Sequence, residues 1–507
     1  MTHALSLKLI RAGIDTQQEP VIYLHTESPV CRAEGFTARS RVQITTSSAQ
    51  IIATLNIVSN SWVKEDEVAL SEVAWRLLKP KHGELAKFSH PKAIDSMSYV
   101  RGKLYGETLN TTQAEAIIND IHQGHYSDIQ LAAYVTACAG HRLSIDETIA
   151  ITQAMVKAGE RLNWQKNLVL DKHCVGGLPG NRTTPIITAI MAAHDLTMPK
   201  TSSRAITSPA GTADTMECLA NVNLNIAQMK SVVDSHGACL AWGGSMSLSP
   251  ADDIIIQIER ALNLDSEGQM VASVISKKVA AGSTHVLIDL PTGPSAKVRS
   301  LDDAKTLSHL LVKTGTELGI KVITHISDGN QPVGRGIGPA LEAKDVLKVL
   351  RNEQDAPEDL FHRSVVLAGI MLEMAGISGE GQGEKLAAET IQNGAALSKF
   401  LAICNAQGSK ISSFENEPEA KFQKNINALE SGIISYINNR IIAQLASLAG
   451  APKMKKAGLE IHVKLGDKVH KGDTLITLHS EAKGELDYAL EFLNAHMDFI
   501  MIKPEVI

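Results

Sequence analysis

Two short stretches hold residue types that together would bind an anion. The first, Asp171-Lys172-His173-Cys174-Val175-Gly176-Gly177-Leu178-Pro179-Gly180, follows the apolar run Leu168-Val169-Leu170 and precedes Thr183-Thr184-Pro185. The apolar run reads as a buried strand, the glycines as a loop that exposes backbone, and Thr183-Thr184-Pro185 as a helix start with proline in its first turn. Strand, glycine loop and helix N-terminus in that order aim free N–H groups at a phosphate. The second stretch sets hydroxyls (Thr201, Ser202, Ser203, Thr207, Ser208, Thr212) around one guanidinium, Arg204, ahead of a helix that begins near Asp214. Glycine and serine clusters are ordinary loop composition when either stands alone. The pair is what points to an anion site.

The elements that must hold these stretches follow from periodicity. Alternating residues such as Leu5-Ser6-Leu7-Lys8-Leu9 and Val42-Gln43-Ile44 predict a small β-rich N-terminal domain, 1–86, with packing or assembly as its role. Helical spacing takes over in a helical domain, 87–165, where Thr112 with Glu115, Ser127 with Gln130 and Ser144 with Glu147 read as capping boxes. His122 and His125 fall there at i, i+3 without a carboxylate in the pattern, and read as surface residues rather than metal ligands. From 166 to 400, strands (Leu168 to Lys172, Ala238 to Trp242, His285 to Leu290, Lys321 to Ile326) alternate with helices. That is the pattern of a large α/β domain with a mixed sheet, which binds ligands at the C-terminal strand ends. A helical stretch at 250–280 interrupts the alternation and is a candidate to rejoin the helical domain. The tail, 401–507, predicts an α+β domain with β-hairpins at Gly466-Asp467 and Gly472-Asp473. Lys455 lies too close to Ile461 to be the acceptor of a biotin- or lipoyl-type hairpin, so the tail reads as structural.

Composition narrows the function classes. The 507 residues, 44% apolar and 21% charged, are those of a globular chain of roughly two to four domains. A net charge of -6 with no sustained basic run leaves no footprint for nucleic acid or an anionic membrane. The six cysteines include no C-x-x-C pair, which signals neither zinc nor disulfides and fits a reducing cytoplasm. No apolar run approaches a membrane span and the start is not an export signal, so a cytoplasmic protein is expected.

At Asp171-Lys172-His173 and Ser202-Ser203-Arg204 the chain resembles the thymidine/pyrimidine-nucleoside phosphorylases, and among them the branch of AMP phosphorylase and the type 2 thymidine phosphorylases. The family signature Ser-Gly-Arg-Gly-Leu-x-x-Thr-Gly-Gly-Thr-x-Asp-Lys-x-Glu is present in altered form, from Ser202 through Arg204, Gly211, Thr212 and Asp214 to Glu217. The resemblance implies phosphorolysis, in which phosphate attacks the anomeric carbon and leaves a pentose 1-phosphate and the free base. It implies Lys172, Thr184 and Thr212 as phosphate ligands, and Lys172, His173 and Asp265 as catalytic residues, with Asp265 protonating the departing base. Gly177, Ser203, Arg204, Ala205, Ile206, Thr207, Ser208, Thr212, Ser273, Lys277 and Lys297 would line the substrate site. It further implies a homodimer or larger homo-oligomer and no cofactor or metal, inorganic phosphate being a co-substrate.

The chain departs from the pyrimidine pattern in three places. Cys174 stands where those enzymes carry serine, and in Glu259-Arg260-Ala261-Leu262-Asn263-Leu264-Asp265 the arginine is displaced and the threonines are missing. Ala272-Ser273 and Lys277-Lys278 do match. Nucleoside 5′-monophosphates therefore stand beside thymidine as expected substrates. Asp265 has an open local alternative, a helix cap before Gln269. Two other functions remain: a metal-dependent phosphoribosyltransferase of the anthranilate type, for which no Asp-Glu pair is present at the site to hold magnesium, and a non-catalytic nucleotide-binding protein, against which the presence of Lys172 and Asp265 counts.

Overall fold

The computed structural model describes residues 6–205, 208–246, 248–264, 266–417 and 419–504. Asp265, Ile206 and Thr207, named above as site residues, lie outside the described residues. The alternation at the N-terminus closes into a six-stranded barrel: β1 (Ser6–Arg11), β2 (Val21–His25), β3 (Arg41–Thr45), β4 (Gln50–Val58), β5 (Glu67–Leu70) and β6 (Leu85–Ser89), in the order β1-β5-β2-β4-β3-β6. Every second residue turns inward, so Leu7, Leu9, Leu24, Val42, Ile44, Ala53 and Leu55 form its core.

Three helices follow, Ser96–Leu104, Thr111–His122 and Asp128–Cys138. The first expected capping box shifts: Asn110 with Gln113, not Thr112 with Glu115, caps Thr111–His122. Asn110 leads because its side chain sits outside the helix, where it can accept the Gln113 N–H at 3.0 Å. Ser127 with Gln130 forms the box expected of it. His125 bonds Asp120 at 2.8 Å. One compact unit takes in 1–142 and 254–264; a second takes in 143–253 and 265–507.

The second unit opens with the helix Ile145–Ala158, started by the Ser144–Glu147 box. Its sheet is built from β7 (Leu170–Cys174), β8 (Met198–Ser202), β9 (Ala238–Trp242), β10 (His285–Thr292) and β11 (Lys321–Asp328). The order is β11-β10-β7 and β8-β9, joined by a bridge between Val169 and Thr197. Every described pairing is parallel, where the sequence suggested a mixed sheet, because each strand is followed by a helical crossover. Antiparallel pairing in this unit belongs to the strands near the C-terminus: β12 (Gly336–Ile337), β13 (Phe422–Asn427), β14 (Gly432–Ile437), β15 (Gly458–Ile461), β16 (Lys468–Val469), β17 (Thr474–Ser480) and β18 (Ile500–Lys503). At the two Gly-Asp turns Asp467 accepts the Lys464 N–H and Asp473 the His470 N–H, each at 2.7 Å. No helix among the described residues is long and apolar enough to cross a membrane.

Candidate active site

Strand geometry splits Asp171-Lys172-His173-Cys174 between the two faces of β7. On one face Lys172 is 1% exposed and donates to the Thr183 hydroxyl at 2.8 Å. Among the described residues it has no ion-pair partner, so two of its three N–H donors face no protein acceptor. Burial pushes its pKa down, partly countered by Cys174 and Asp289. A buried ammonium with one neutral partner is costly unless an anion completes it. Thr183 and Thr184 open the helix Thr183–Ala193, which the loop 175–182 feeds. In that loop Gly180 has φ +70°, and a Cβ there would lie 2.2 Å from the Val333 carbonyl, so only glycine lets the chain turn into the helix. Cys174 shares the Lys172 face and accepts from Asn181 Nδ2 at 3.3 Å. Burial and then the neighbouring Asp289 push the thiol up to about 12, so it is a neutral group and not a thiolate.

Asp171 turns to the other face and bonds two buried lysines, Lys200 of β8 and Lys278 of the helix Glu267–Ala280, each at 2.8 Å. Both pKa values move down, which favours the charged carboxylate and disfavours the charged lysine. Burial alone would raise Asp171, but the two ammoniums outweigh it and hold the carboxyl below its ordinary range. Lys278 is pushed down, first by burial and also by Lys200, against the pull of Asp171. One carboxylate faces two lysines, so Asp171 stays ionised while Lys278 holds its proton less tightly than an exposed lysine.

His173, half-buried on this same face, is driven well below 6.5 by burial and then by Lys278, Lys200, Lys172 and Lys277. Its native pKa lies below the unfolded one, so the native state keeps this contribution above pH 6.5 and loses it as pH falls below. His173 is therefore a neutral imidazole at pH 7. NMR titration of its ring carbons should give a midpoint under 6.5; a midpoint at or above that value would overturn the assignment.

The second stretch is tied to the first by Arg182, which the sequence reading passed over. Arg182 Nε bonds the buried Glu342 at 2.6 Å, Nη1 the Thr212 hydroxyl at 3.0 Å, and Nη2 the Ala210 carbonyl at 2.9 Å. The Thr212 oxygen accepts from Arg182, which leaves its proton to be donated elsewhere. Gly211, before the helix Thr212–Glu217, lies against 203–205 so closely that a Cβ would come within 2.6 Å of the Ser203 carbonyl. The two halves of the expected anion site are thus one structure.

Three family models match the chain in order. Residues 97–159 match the glycosyl transferase family helical bundle domain, 166–397 its a/b domain, and 433–499 the pyrimidine nucleoside phosphorylase C-terminal domain. A protein of Hahella chejuensis bearing the name "Putative thymidine phosphorylase" is 57% identical over 98% of both chains. One from Acidovorax sp. strain JS42, "Putative thymidine phosphorylase 1", is 52% identical over 99% of this chain and 98% of its own. The chain belongs to the thymidine/pyrimidine-nucleoside phosphorylase family. As a phosphorylase of this family it is a pentosyltransferase. Solved anthranilate phosphoribosyltransferases share the phosphorylase's fold: that of Thermus thermophilus at TM-score 0.50 and 17% identity over 61% of this chain and 98% of its own, and that of Saccharomyces cerevisiae at 0.51 and 13% over 64% and 99%.

Not every residue named from the phosphorylase pattern is free for substrate. Arg204 makes a bidentate pair with Glu217, both contacts at 2.8 Å, and lies 4.8 Å from the Trp242 ring centroid. Asp214, whose carboxylate also accepts the Ala205 and Gly211 N–H groups, completes the clasp. Arg204 is therefore spent on Glu217 and Asp214, and the Asp214 carboxylate holds Ala205 and Gly211 by their backbone N–H groups. Ser273 donates to Asp252 at 2.9 Å and Lys277 pairs with the same carboxylate at 2.5 Å. Ser203 is exposed, Ser208 donates to the Ala210 carbonyl at 2.8 Å, and Gly177 is exposed with φ +58°. Lys297 has its backbone N–H on the Gly176 carbonyl at 3.3 Å, which brings its loop to the glycine loop. Asn439 holds that same loop by donating to Ser295 at 3.0 Å and to the Gly329 carbonyl at 2.9 Å. No group of three or more His, Cys, Asp or Glu among the described residues is arranged to hold a metal.

Proposed function

We propose that this phosphorylase cleaves a nucleoside or nucleoside 5′-monophosphate with inorganic phosphate, with nucleotides favoured. The observation that carries the reading is Lys172: an ammonium buried to 1% exposure and, among the described residues, without an ion pair, bonded to Thr183 at the start of the helix that continues with Thr184, while Arg182 of the adjoining loop holds the Thr212 oxygen. A phosphate dianion supplies the missing acceptors. Its oxygen bonds to C1′ as the C1′–N bond breaks. The electron pair goes to the base nitrogen, and Asp265 is the proposed source of the proton that neutralises it. The products are the free base and a pentose 1-phosphate, 5′-phosphorylated when a nucleotide is used. No cofactor enters this balance.

A 5′-phosphate needs donors of its own. Ser203, Thr207, Ser208 and Lys297 are the proposed set, and the approach of the Lys297 loop to the glycine loop supports it. Two charge-assisted contacts at roughly 1.5 to 3 kcal/mol each would favour AMP over adenosine by about a hundredfold or more. A panel of nucleosides and their monophosphates, assayed for phosphate-dependent release of free base, tests this. Lys297→Ala should narrow the gap between nucleotide and nucleoside. Equal or better cleavage of thymidine, indifferent to a 5′-phosphate, would return the chain to a nucleoside substrate.

A further inference from the structure

Gln269 sits at the third position of the helix Glu267–Ala280, behind the N-cap Ser266. Ser266-Glu267-Gly268-Gln269 is a capping-box sequence, and the box predicts that the Gln269 side chain turns back to the N-cap backbone. Gln113, Gln130, Glu147 and Gln228 do so in their own helices. Gln269 does not: its backbone N–H reaches the Ser266 hydroxyl at 3.5 Å, but the reciprocal bond is not made. Instead the side chain is buried at 2% exposure, with both Nε2 and Oε1 lacking any hydrogen-bond partner. An amide buried with donor and acceptor both unmet loses the free energy of its hydration without return. A leucine would fill the same space without that loss.

Gln269, Ser273 and Lys277 follow at i, i+4 and i+8, on one face of the helix. Ser273 and Lys277 both spend donors on the buried Asp252. Gln269 is the group on this stripe whose donor and acceptor are both unspent. Gly268 lets the helix come this close to its neighbour, since a Cβ there would lie 2.8 Å from Leu143 and from the Thr148 hydroxyl.

We propose that Gln269 reads the nucleobase, its amide taking a base edge that presents a donor and an acceptor side by side. The inference rests on the nucleoside-site reading above. Adenine offers such an edge through its N6–H and N1 or N7, and thymine through N3–H and O4. The site takes the base as a planar amide-like edge, and Gln269 is a specificity residue of the reaction.

The test compares wild type with Gln269→Leu, in full-length protein. With the nucleotide and nucleoside pairs of adenine and thymine, kcat/KM for the preferred base should fall about tenfold to hundredfold in the variant. KM for phosphate should not change. Wild type should prefer adenine to the 6-unsubstituted purine, and the variant should not; a thymine-preferring wild type identifies the dione edge instead. Tm should stay level or rise, because an unsatisfied buried amide has been removed. A variant with wild-type base kinetics, whatever its Tm, overturns the proposal. If wild type releases no base from any substrate, the phosphorolysis reading fails, and calorimetric binding of free adenine and thymine then decides on Gln269. Equal binding by both proteins, or none by wild type, overturns it as well.

Discussion

Lys172→Ala should lose phosphorolysis by about a thousandfold or more while the protein stays folded. Removal of a single preorganised donor to a reacting oxyanion costs about a hundredfold to a thousandfold in turnover, and here the donor is also a buried cation with no ion-pair partner among the described residues. The loss should persist at saturating phosphate. Stability supplies a second readout. A buried ammonium with one hydroxyl partner contributes little to folding without an anion, so the volume-conserving Lys172→Met should melt no lower than wild type. Phosphate should raise the Tm of wild type by linkage and leave that of the variant unmoved. Near-normal turnover at saturating phosphate, or an undiminished phosphate-dependent Tm shift, would remove Lys172 from the site.

Asp171→Asn should be the most destabilising conservative change in the second unit, by about 3 to 5 kcal/mol, because it leaves two buried ammoniums without their carboxylate. The pH dependence gives the mechanism. In wild type the native Asp171 pKa lies below the unfolded 3.8, so its contribution is present above that value and is lost as pH falls through the native one. The variant should lack this acid limb. Without Asp171 to draw it up, Lys278 is held further below the unfolded 10.5, so the unfolded state binds more protons and stability should rise with pH above neutrality. Urea midpoints between about pH 7 and 10 should show this alkaline recovery. Lys278→Met placed on Asp171→Asn should restore part of the loss by removing one of the stranded charges. A variant as stable as wild type at pH 7, with no slope toward alkaline pH, would show that the triad carries no such energy.

Much of the local structure was legible. The Ser127–Gln130 and Ser144–Glu147 boxes are formed as their spacing predicts, and β9 runs from Ala238 to Trp242 as expected. β8 was missed, because Met198-Pro199-Lys200-Thr201-Ser202 carries a proline and two buried polar side chains that read as loop. It is a strand because it pairs in parallel with β9 and its lysine meets Asp171. The hydroxyl cluster around Arg204 was read as a ligand site centred on a guanidinium, whereas the guanidinium is clasped by Glu217, thirteen residues on.

By itself, the sequence determined most of the elements, the glycine loop with the lysine that precedes it, and the family. Each of these rests on neighbours a few residues apart, where spacing fixes which backbone groups and faces can meet. Only the tertiary structure decided which charged groups are already paired. Asp171 meets Lys200 and Lys278 across 29 and 107 residues, and Arg182 meets Glu342 across 160. Lys172, Lys200 and Lys278 are alike as buried lysines, and a lysine's role depends on whether a carboxylate from a distant element comes within reach. The same holds for Gln269, whose capping-box spacing predicts a local bond that the buried side chain does not make. Packing sets the surroundings of each charge and amide, and the free energy of a buried polar group is set by those surroundings.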